Sequence, residues 1–352
     1  MERVRRRLMV AGFGSLLLPA HLLAQSPTRV FRVAYLFGVL IPPEQAPSSE
    51  TYFDVVRERL ETHGFVPGRN LEMRHFFRRT DTPGGWAGPW QRQIIDEAVA
   101  WKADVMLIPS AAFVRTAKQA RTSIPIVFAL VQDPLSEGLV ASLARPEANI
   151  TGAGIDYDTL AIKRLELARE ILPSLRRIAV VFDQRYGGIP VTARSQFRKA
   201  AERFNMTVAE IDVATVEGGL CNAAKSANDA RAQAILPLGN IGPPMNDKGT
   251  KSWVQGYGDC LYELQTKARI PVIDDSGDTV SQGVVAAVGE DSNESFRRAA
   301  DVVARILKGA KPSDVPVDMQ MRVELFVNAK SARQLGLTLP QTVVQRADRV
   351  IQ

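Results

Sequence analysis

The sequence predicts an α/β protein of two lobes, each a mostly parallel sheet flanked by helices. Three observations support this fold class. They are the length, an alternation of short β-rich runs with amphipathic helical stretches from residue 31 onward, and a break in that alternation at 149–154. A chain of 352 residues is long enough for about two domains with substantial cores. Its 45% apolar and 23% charged residues exclude a disordered chain and a chain embedded as a whole in a membrane.

The β-rich runs give the predicted strands. Before the break they are residues 31–37, 71–77, 105–108 and 126–129, and after it 178–182, 207–213, 234–238, 271–273, 284–288 and 324–328. Helical stretches lie between successive runs, which is typical of parallel strands. This number of strands fits two sheets.

The helical stretches carry clear periodicity and end signals. Residues 53–60 place apolar side chains at i, i+3 and i+7, and Gly64 is positioned to end that helix. Residues 291–294 form a capping box, an Asp followed three residues later by a Glu, which opens a helix predicted to end at Gly309.

Breaks in the pattern at 149–154, after Val288 and at the Pro-rich 311–317 indicate that the chain passes between the lobes three times. The predicted lobes are 30–150 plus about 289–315, and 151–288 plus about 316–352. Two α/β lobes joined in this way enclose a cleft. Ligands of open α/β sheets lie beyond the carboxyl ends of the strands, so the strand-end loops facing the cleft are the expected site.

Residues 1–24 predict a cleaved secretory signal peptide. A basic start at 3–7 leads into an uncharged apolar run at 8–18 and then Pro19, with small residues Ala20 and Ala24 at the exit. A membrane anchor is the alternative, but the run is short for a bilayer span. We therefore expect cleavage after Ala24 and a periplasmic location.

The net charge of +6 does not indicate a nucleic-acid partner. The predicted signal peptide carries +3 of it, and the remaining acids and bases are interspersed, with only short basic pairs such as Arg297-Arg298. Such pairs are expected on a solvated face of a helix or strand.

Cys221 and Cys260 are the two cysteines, and in an oxidising compartment they can form a disulfide that closes a long loop. Two buried free thiols are the alternative, and the sequence leaves both open. Both cysteines are expected on helices of the same half. A racemase that uses two cysteines would need one thiol from each lobe, so this placement argues against one.

Catalytic and metal-binding motifs are missing from the sequence. There is no G-x-S-x-G elbow, no Walker loop, no H-E-x-x-H and no C-x-x-C. His63 and His75 lack the spacing of metal ligands, and a packed or surface role is expected for both. We expect no catalytic residue, no metal site and no cofactor.

Residues 138–146 (GLVASLARP), followed by Asn-Ile-Thr-Gly at 149–152, resemble the signature of a family of ABC transporter substrate-binding proteins that includes tryptophan and tyrosine binders. Further stretches similar to that family are 64–70, 163–167, 306–312 and 335–340. The resemblance spans nearly the whole chain after the signal segment. It implies a type I periplasmic binding protein with two Rossmann-like lobes that close on a small solute, and delivery to an ABC permease and its ATPase.

Three segments depart from the family pattern. Glu147-Ala148 stands where two glycines are common, the loop at 80–90 is longer and carries Trp86 and Trp90, and 287–289 lacks an aromatic residue before its glycine. These departures indicate an altered pocket, so the resemblance does not fix the ligand.

Candidate ligand contacts of the first lobe follow strand ends. Ser110 would cap a helix whose first N–H groups, at Ala111 and Ala112, suit a carboxylate, although a plain cap is equally consistent. Gln132 and Asp133 end the next strand. Asp133 would pair with an ammonium group or, alternatively, form a turn before Pro134.

The remaining candidates lie on both lobes. Phe37 would supply an apolar wall or belong to the core, and Asp156 follows the first crossover, where hinge and pocket are hard to separate. In the second lobe the candidates are Asp183 and Tyr186 after one strand, Asn240 after another, and Asp274 after a third.

The function expected first is a periplasmic solute-binding component of an ABC importer, for a small polar or zwitterionic solute such as an amino acid, aromatic ones included. A ligand-sensing module for a membrane receptor is the alternative. An exported enzyme on the same scaffold is a third, and it lacks a titratable cluster. We expect a monomer with a small-molecule ligand, a permease and its ATPase as partners, and no nucleic acid.

Overall fold

The computed structural model describes residues 29–41, 50–79, 89–146, 148–184, 191–238, 253–290 and 292–352. Its strands are β1 (Phe31–Ile41), β2 (Leu71–Arg79), β3 (Val105–Ile108), β4 (Ile126–Gln132), β5 (Ile150–Ile155), β6 (Arg177–Phe182), β7 (Thr207–Asp212), β8 (Ala234–Pro237), β9 (Ile273–Asp274), β10 (Ala286–Glu290), β11 (Val323–Asn328) and β12 (Arg349–Ile351). Its helices are α1 (Glu50–Thr62), α2 (Pro89–Ala100), α3 (Ala111–Gln119), α4 (Tyr157–Ile171), α5 (Val191–Arg203), α6 (Ala224–Asp229), α7 (Trp253–Ala268), α8 (Gly277–Ser281), α9 (Ser292–Leu307), α10 (Ala329–Gln334) and α11 (Gln341–Arg346).

The first sheet has the strand order β2-β1-β3-β4-β5, and all of its strands are parallel. Side chains alternate between its two faces. Val33 and Tyr35 of β1 face α1 and α9, whereas Ala34 and Leu36 face α2 and α3. Both faces are therefore covered by helices, as parallel sheets require.

The second layer consists of two hydrogen-bonded sheets, β7-β6-β8 and β12-β11-β10-β9. A bridge between Ile235 and Val272 joins them, and the Ile235 N–H donates to the Pro271 carbonyl at 2.9 Å. Within this layer β10 and β11 are antiparallel and the other paired strands are parallel. The single second sheet expected from the sequence is thus two sheets joined at one bridge.

The prediction that 149–154 interrupts the pattern was wrong, because this segment is strand β5 and pairs with β4. Its glycines are needed for packing. A Cβ at Gly152 would lie 2.3 Å from the Phe128 carbonyl oxygen, and one at Gly154 would lie 2.5 Å from the sulfur of Met319. Edge strand β12 was also missed, and β1 and β4 extend further than predicted, to Ile41 and Gln132.

The helix-end predictions agree with the structure in the described residues. Val56 and Leu60 of α1 are fully buried, and Gly64 has a φ of 89°. Helix α9 ends at Leu307, and Gly309 has a φ of 101°, which favours glycine. Asp291, the first residue of the predicted capping box, lies outside the described residues.

Cys221 and Cys260 form a disulfide, with their Cα atoms 4.4 Å apart. The bond joins the 3-10 turn Gly219–Asn222 to α7. Cys221 therefore lies in a short 3-10 turn and not in an α-helix. Of the two alternatives that the sequence left open, the structure has the disulfide.

The chain passes between the two layers of strands after β5, after β10 and before β11. Helix α9 follows β10 and returns to the first sheet, where Phe296 and Ala299 pack against Val33 and Tyr35. Within the described ranges, none of the helices has both the length and the apolar character that crossing a membrane requires.

Candidate functional site

The α3 N-terminus follows β3 at one end of the first sheet. Ser110 is the N-cap of α3, with φ −162° and ψ 121°, and its side chain accepts a hydrogen bond from the Phe113 N–H at 3.4 Å. Ala111 and Ala112 are the first two residues of the helix, where N–H groups have no acceptor within the helix. All three are half-buried, and no acidic side chain lies in the first turn. This end of α3 can receive an anion.

Gln132 and Asp133 lie at the end of β4, next to β3 in the sheet. Asp133 has a φ of 42° and accepts hydrogen bonds from the Ser136 N–H, at 3.1 Å, and from the Ser136 hydroxyl. These bonds to the residue three positions later hold the turn that follows β4, so the turn-forming role of Asp133 is present in the structure. Both residues are half-buried.

Asp156 follows β5 and is the N-cap of α4. Its carboxylate accepts from the Thr159 N–H at 3.1 Å and from the Thr159 hydroxyl at 2.7 Å. Burial raises the pKa of neighbouring Asp158, and Asp156 and Asp133 raise it further. The carboxylates that follow β4 and β5 are thus near enough to interact electrostatically and can attract a cation, while Arg203 and Lys199 lower the pKa of Asp158.

Phe37 belongs to an aromatic cluster on the α1-facing side of β1 and β2. Its ring stacks on Tyr35 at 5.7 Å, and Tyr35 in turn contacts His75 at 5.0 Å and Phe53 at 5.8 Å. Phe77 contacts His75 at 5.1 Å. Phe37 is half-buried, so it is neither wholly in the core nor wholly exposed.

Sequence reasoning missed this cluster, although its signal is present. Tyr35 and Phe37 alternate along β1, His75 and Phe77 alternate along β2, and the two strands pair in that register. Burial lowers the pKa of His75 to about 4. Among the described residues, the Tyr35 hydroxyl and the Nε2 atom of His75 are buried and have no hydrogen-bond partner.

In the second layer, Asp183 follows β6 and is 3% exposed. The next residue, Gln184, donates its N–H to Asp212 at 3.2 Å. Two further predicted contacts, Tyr186 and Asn240, lie outside the described residues.

Asp274, the last residue of β9, lies in the interior. The residue is 0% exposed. Its two carboxylate oxygens accept hydrogen bonds from the Tyr257 hydroxyl at 3.0 Å and from the Thr279 hydroxyl at 2.8 Å. Burial, and then the nearby Asp275, raise the pKa of Asp274 to about 7. The neighbouring Asp275 has an 18% exposed side chain, and it is the member of the pair that reaches the surface.

Arg164 of α4 holds this acidic pair and was not among the predicted site residues. Its side chain is 0% exposed, and Nη2 donates to the carbonyls of Pro237 at 2.6 Å and Ile273 at 2.8 Å. Nη1 lies 3.9 Å from a carboxylate oxygen of Asp275. The signal that could have found it is a charged residue on the apolar face of a predicted helix, beside Leu160 and Leu165.

The structure groups the predicted residues by strand end. The ends of the neighbouring strands β3, β4 and β5 carry Ser110, Ala111, Ala112, Gln132, Asp133 and Asp156, and the ends of β6 and β9 carry Asp183 and Asp274. Trp90, whose role was open, is 3% exposed and contacts Phe113 in the core of the first sheet.

A cavity is present at some distance from the predicted site residues. A cavity of about 340 Å³ opens between α7 and α10, lined by Tyr262, Arg269 and Gln334 among others. It contains no predicted site residue. No group of three His, Cys, Asp or Glu side chains that could hold a metal ion is found in the described part of the chain.

Comparison with known proteins identifies the family. Residues 90–351 match the family described as ABC transporter substrate binding protein, which is more than half of the chain. The chain belongs to this family of ABC transporter substrate-binding proteins. The resemblance inferred from residues 138–152 is thereby confirmed.

Individual relatives of this substrate-binding protein agree with the family. A tyrosine-binding protein of Clostridioides difficile (strain R20291) is 24% identical over 278 residues, which are 79% of this chain and 74% of that protein. A conserved domain protein from Vibrio cholerae has a solved structure with a TM-score of 0.73 and 24% identity, covering 92% of this chain and 100% of that one. The ABC domain from Streptococcus pneumonia in complex with L-Trp gives a TM-score of 0.73 at 20% identity, with the same coverage. The predicted two-lobed type I fold is confirmed by these similarities.

Proposed function

We propose that this substrate-binding protein is the solute-binding component of an ABC importer and binds an amino acid between its two lobes. The observation that carries the proposal is the charge arrangement at neighbouring strand ends. The N-terminus of α3, which can receive a carboxylate, follows β3, and the carboxylates of Asp133 and Asp156, which can receive an ammonium, follow β4 and β5. Adjacent strands are about 4.8 Å apart, and β4 and β5 continue beyond the point where β4 pairs with Ile108, the last residue of β3. An amino acid bound there would place its carboxylate at the α3 N-terminus and its ammonium toward these carboxylates, with waters bridging the remaining gaps.

Aromatic amino acids are the first ligands to test. The half-buried rings of Phe37 on β1 and Phe77 on β2 lie toward the carboxyl ends of these strands, and Phe53 of α1 lies in the same aromatic cluster. These rings offer edge and face contacts to an aromatic side chain. The names of two relatives, a tyrosine-binding protein and a domain solved with L-Trp, support the same choice.

Binding is tested with protein refolded to remove any carried-over ligand, followed by thermal shift and calorimetry. The probes are L-tyrosine and L-tryptophan, with tyramine, which lacks the carboxylate, 4-hydroxyphenylpropionate, which lacks the ammonium, and ribose as controls. A ligand at 100 times its Kd stabilises the protein by about 2.7 kcal/mol. We expect shifts with the amino acids and much smaller ones with the three controls. Equal shifts with tyramine and tyrosine would contradict the carboxylate site at α3.

The site is tested with charge-removing variants. Asp133→Asn and Asp156→Asn are expected to weaken binding of L-tyrosine, because each removes one negative charge facing the ammonium. Asp96→Asn is the matched control, since Asp96 is an exposed carboxylate paired with Arg92 on α2. Unchanged affinity in both site variants would remove the proposed ammonium site.

The importer role carries further proposals. We propose export through the signal peptide at 1–24, a periplasmic location, a monomer without catalytic activity, and docking on a permease with its ATPase. Mass spectrometry of the exported protein is expected to find the N-terminus at Gln25. Deletion of the gene is expected to reduce uptake of the radiolabelled amino acid, and unchanged uptake would contradict the importer role.

A further inference from the structure

Arg298 lies on the inner face of α9 and is 7% exposed. The sequence placed the Arg297-Arg298 pair on a solvated face. The structure agrees for Arg297, which is exposed and pairs with Glu294, and differs for Arg298. The difference arises because α9 is covered by the first sheet on one side, so adjacent helix positions meet different surroundings.

The guanidinium of Arg298 contacts all three segments where the chain passes between the layers. Nη2 donates to the Gly154 carbonyl at the end of β5, at 3.3 Å, and to the carboxylate of Glu290 at the end of β10. Nη1 donates to the carbonyl and to the carboxylate of Asp318, before β11, at 3.1 and 3.2 Å.

Some of these contacts are to the first sheet and one is to the second layer of strands. Asp318 is fixed to the first sheet, because its N–H donates to the Gly152 carbonyl at 2.9 Å and its carbonyl accepts from the Gly154 N–H at 2.8 Å. Glu290 belongs instead to the second layer, since it pairs with Val323 of β11. The ion pair between Arg298 and Glu290 therefore connects a helix of the first lobe to a strand of the second.

The ion pair between Arg298 and Glu290 is buried. The side chain of Glu290 is 2% exposed, and burial raises its pKa to about 7 although Arg298 lowers it. A buried ion pair contributes little more than a well-packed apolar pair would, while removing one partner leaves an uncompensated charge. Such a pair fixes one arrangement of the segments that it connects.

We propose that Arg298 is a positioning residue that restrains the angle between the two lobes and thereby sets the affinity for a solute bound between them. The affinity part rests on the proposed function. The restraint acts through Glu290, because Gly154 and Asp318 move with the first sheet, to which Arg298 also belongs. An apparent Kd rises in proportion as the binding-competent fraction of conformations falls.

The test compares Arg298→Met and Glu290→Gln with the control Arg297→Met, which removes an exposed arginine from the same helix. Spin labels at Ala100→Cys on α2 and Asn228→Cys on α6, both at exposed positions, report the distance between the lobes by pulsed EPR. The native cysteines are bonded to each other and do not take up label. Calorimetry with L-tyrosine measures the affinity of each variant.

We expect a broader distance distribution in Arg298→Met without ligand, with an affinity weakened by about tenfold or more. We expect a smaller effect in Glu290→Gln and no change in Arg297→Met. Arg298→Lys is expected to recover part of the restraint, and it replaces Arg298→Met if that variant does not fold. The ligand-free distances do not depend on which solute binds, so failure of the proposed function would leave this part standing. Unchanged distance distributions in the folded Arg298 and Glu290 variants would overturn the proposal, as would weakened binding without a change in distance.

Discussion

Arg164→Met is expected to destabilise the second lobe by about 4 kcal/mol. The variant removes two charged hydrogen bonds, to the carbonyls of Pro237 and Ile273. Each bond to a charged group contributes about 1.5–3 kcal/mol. It also leaves Asp274 and Asp275 without their positive neighbour, and breaking a buried pair typically costs about 3–5 kcal/mol. Methionine keeps much of the apolar stem, which offsets part of the loss.

The loss is expected to depend on pH. Burial raises the pKa of both aspartates and Arg164 lowers it, so the variant shifts both further upward. A carboxyl group with a raised folded-state pKa binds its proton more tightly in the folded than in the unfolded state. Stability therefore falls as pH rises from the unfolded pKa, about 3.9, through the folded pKa, and it levels off above that. The free energy of unfolding of the variant is expected to fall more steeply than that of the wild type between pH 5 and pH 8.

Urea unfolding followed by circular dichroism measures both effects. Arg169→Met is the matched control, because Arg169 is an exposed arginine of the same helix whose guanidinium lies 5.5 Å from the Phe204 ring. Adding Asp275→Asn to Arg164→Met is expected to restore part of the stability, since it removes one unpaired charge. A loss below about 1 kcal/mol, or the same loss at both pH values, would refute the reasoning, because buried unpaired charges cost more than that.

Three further predictions concern stability. Burial lowers the pKa of His75 from 6.5 to about 4, so the free energy of unfolding should be unaffected by His75 above pH 6.5 and should fall by about 3 kcal/mol as pH drops toward 4. In urea unfolding at a series of pH values, His75→Phe should lose this pH dependence. An unchanged pH dependence would contradict the assignment to His75. Gly289→Ala places a Cβ 1.7 Å from a backbone oxygen, whereas Gly309→Ala meets no atom within 4 Å. The first variant should therefore lose several kcal/mol and the second about 1 kcal/mol from its positive φ, and equal melting temperatures would argue against the close approach. Replacing both Cys221 and Cys260 by alanine opens a loop with a sequence separation of 39 residues and should lower the free energy of unfolding by about 4 kcal/mol. In a reducing agent the wild type and the variant should be equally stable. A difference in stability that persists there would contradict the disulfide as its cause.

The alternation of strands and helices could be predicted from the sequence where each element carries its own signal. Strand β3 was predicted with its observed bounds, and the end of α9 was predicted from Gly309. Strand β5 was missed because the glycines at 152 and 154 interrupt the β-rich pattern and led to the prediction of a break there. Their small size is required by Phe128 on the neighbouring strand β4 and by Met319 in the segment before β11.

The candidate site could be predicted only where strand ends determine it. The cap at Ser110 follows from its position after β3, and the structure has that hydrogen bond. The roles of Arg164 and Arg298 could not be predicted in this way, because a buried arginine is defined by the carbonyls and carboxylates that other segments bring to it. Nothing in the local sequence distinguishes Arg298 from the exposed Arg297.

Helix α9 has a consequence for the order in which the two lobes fold as the chain emerges with its N-terminus first. The first sheet is complete in sequence at β5, but one of its faces is covered by residues 292–307, and Arg59 of α1 pairs with Asp301 across 242 residues. A chain that emerges at the rate of synthesis takes roughly 8 to 30 s from the end of β5 to the end of α9. Throughout that interval Val33 and Tyr35 lack α9, one of the two helices that cover them. The N-terminal lobe, although made first, is the one that finishes folding after most strands of the other lobe have already emerged.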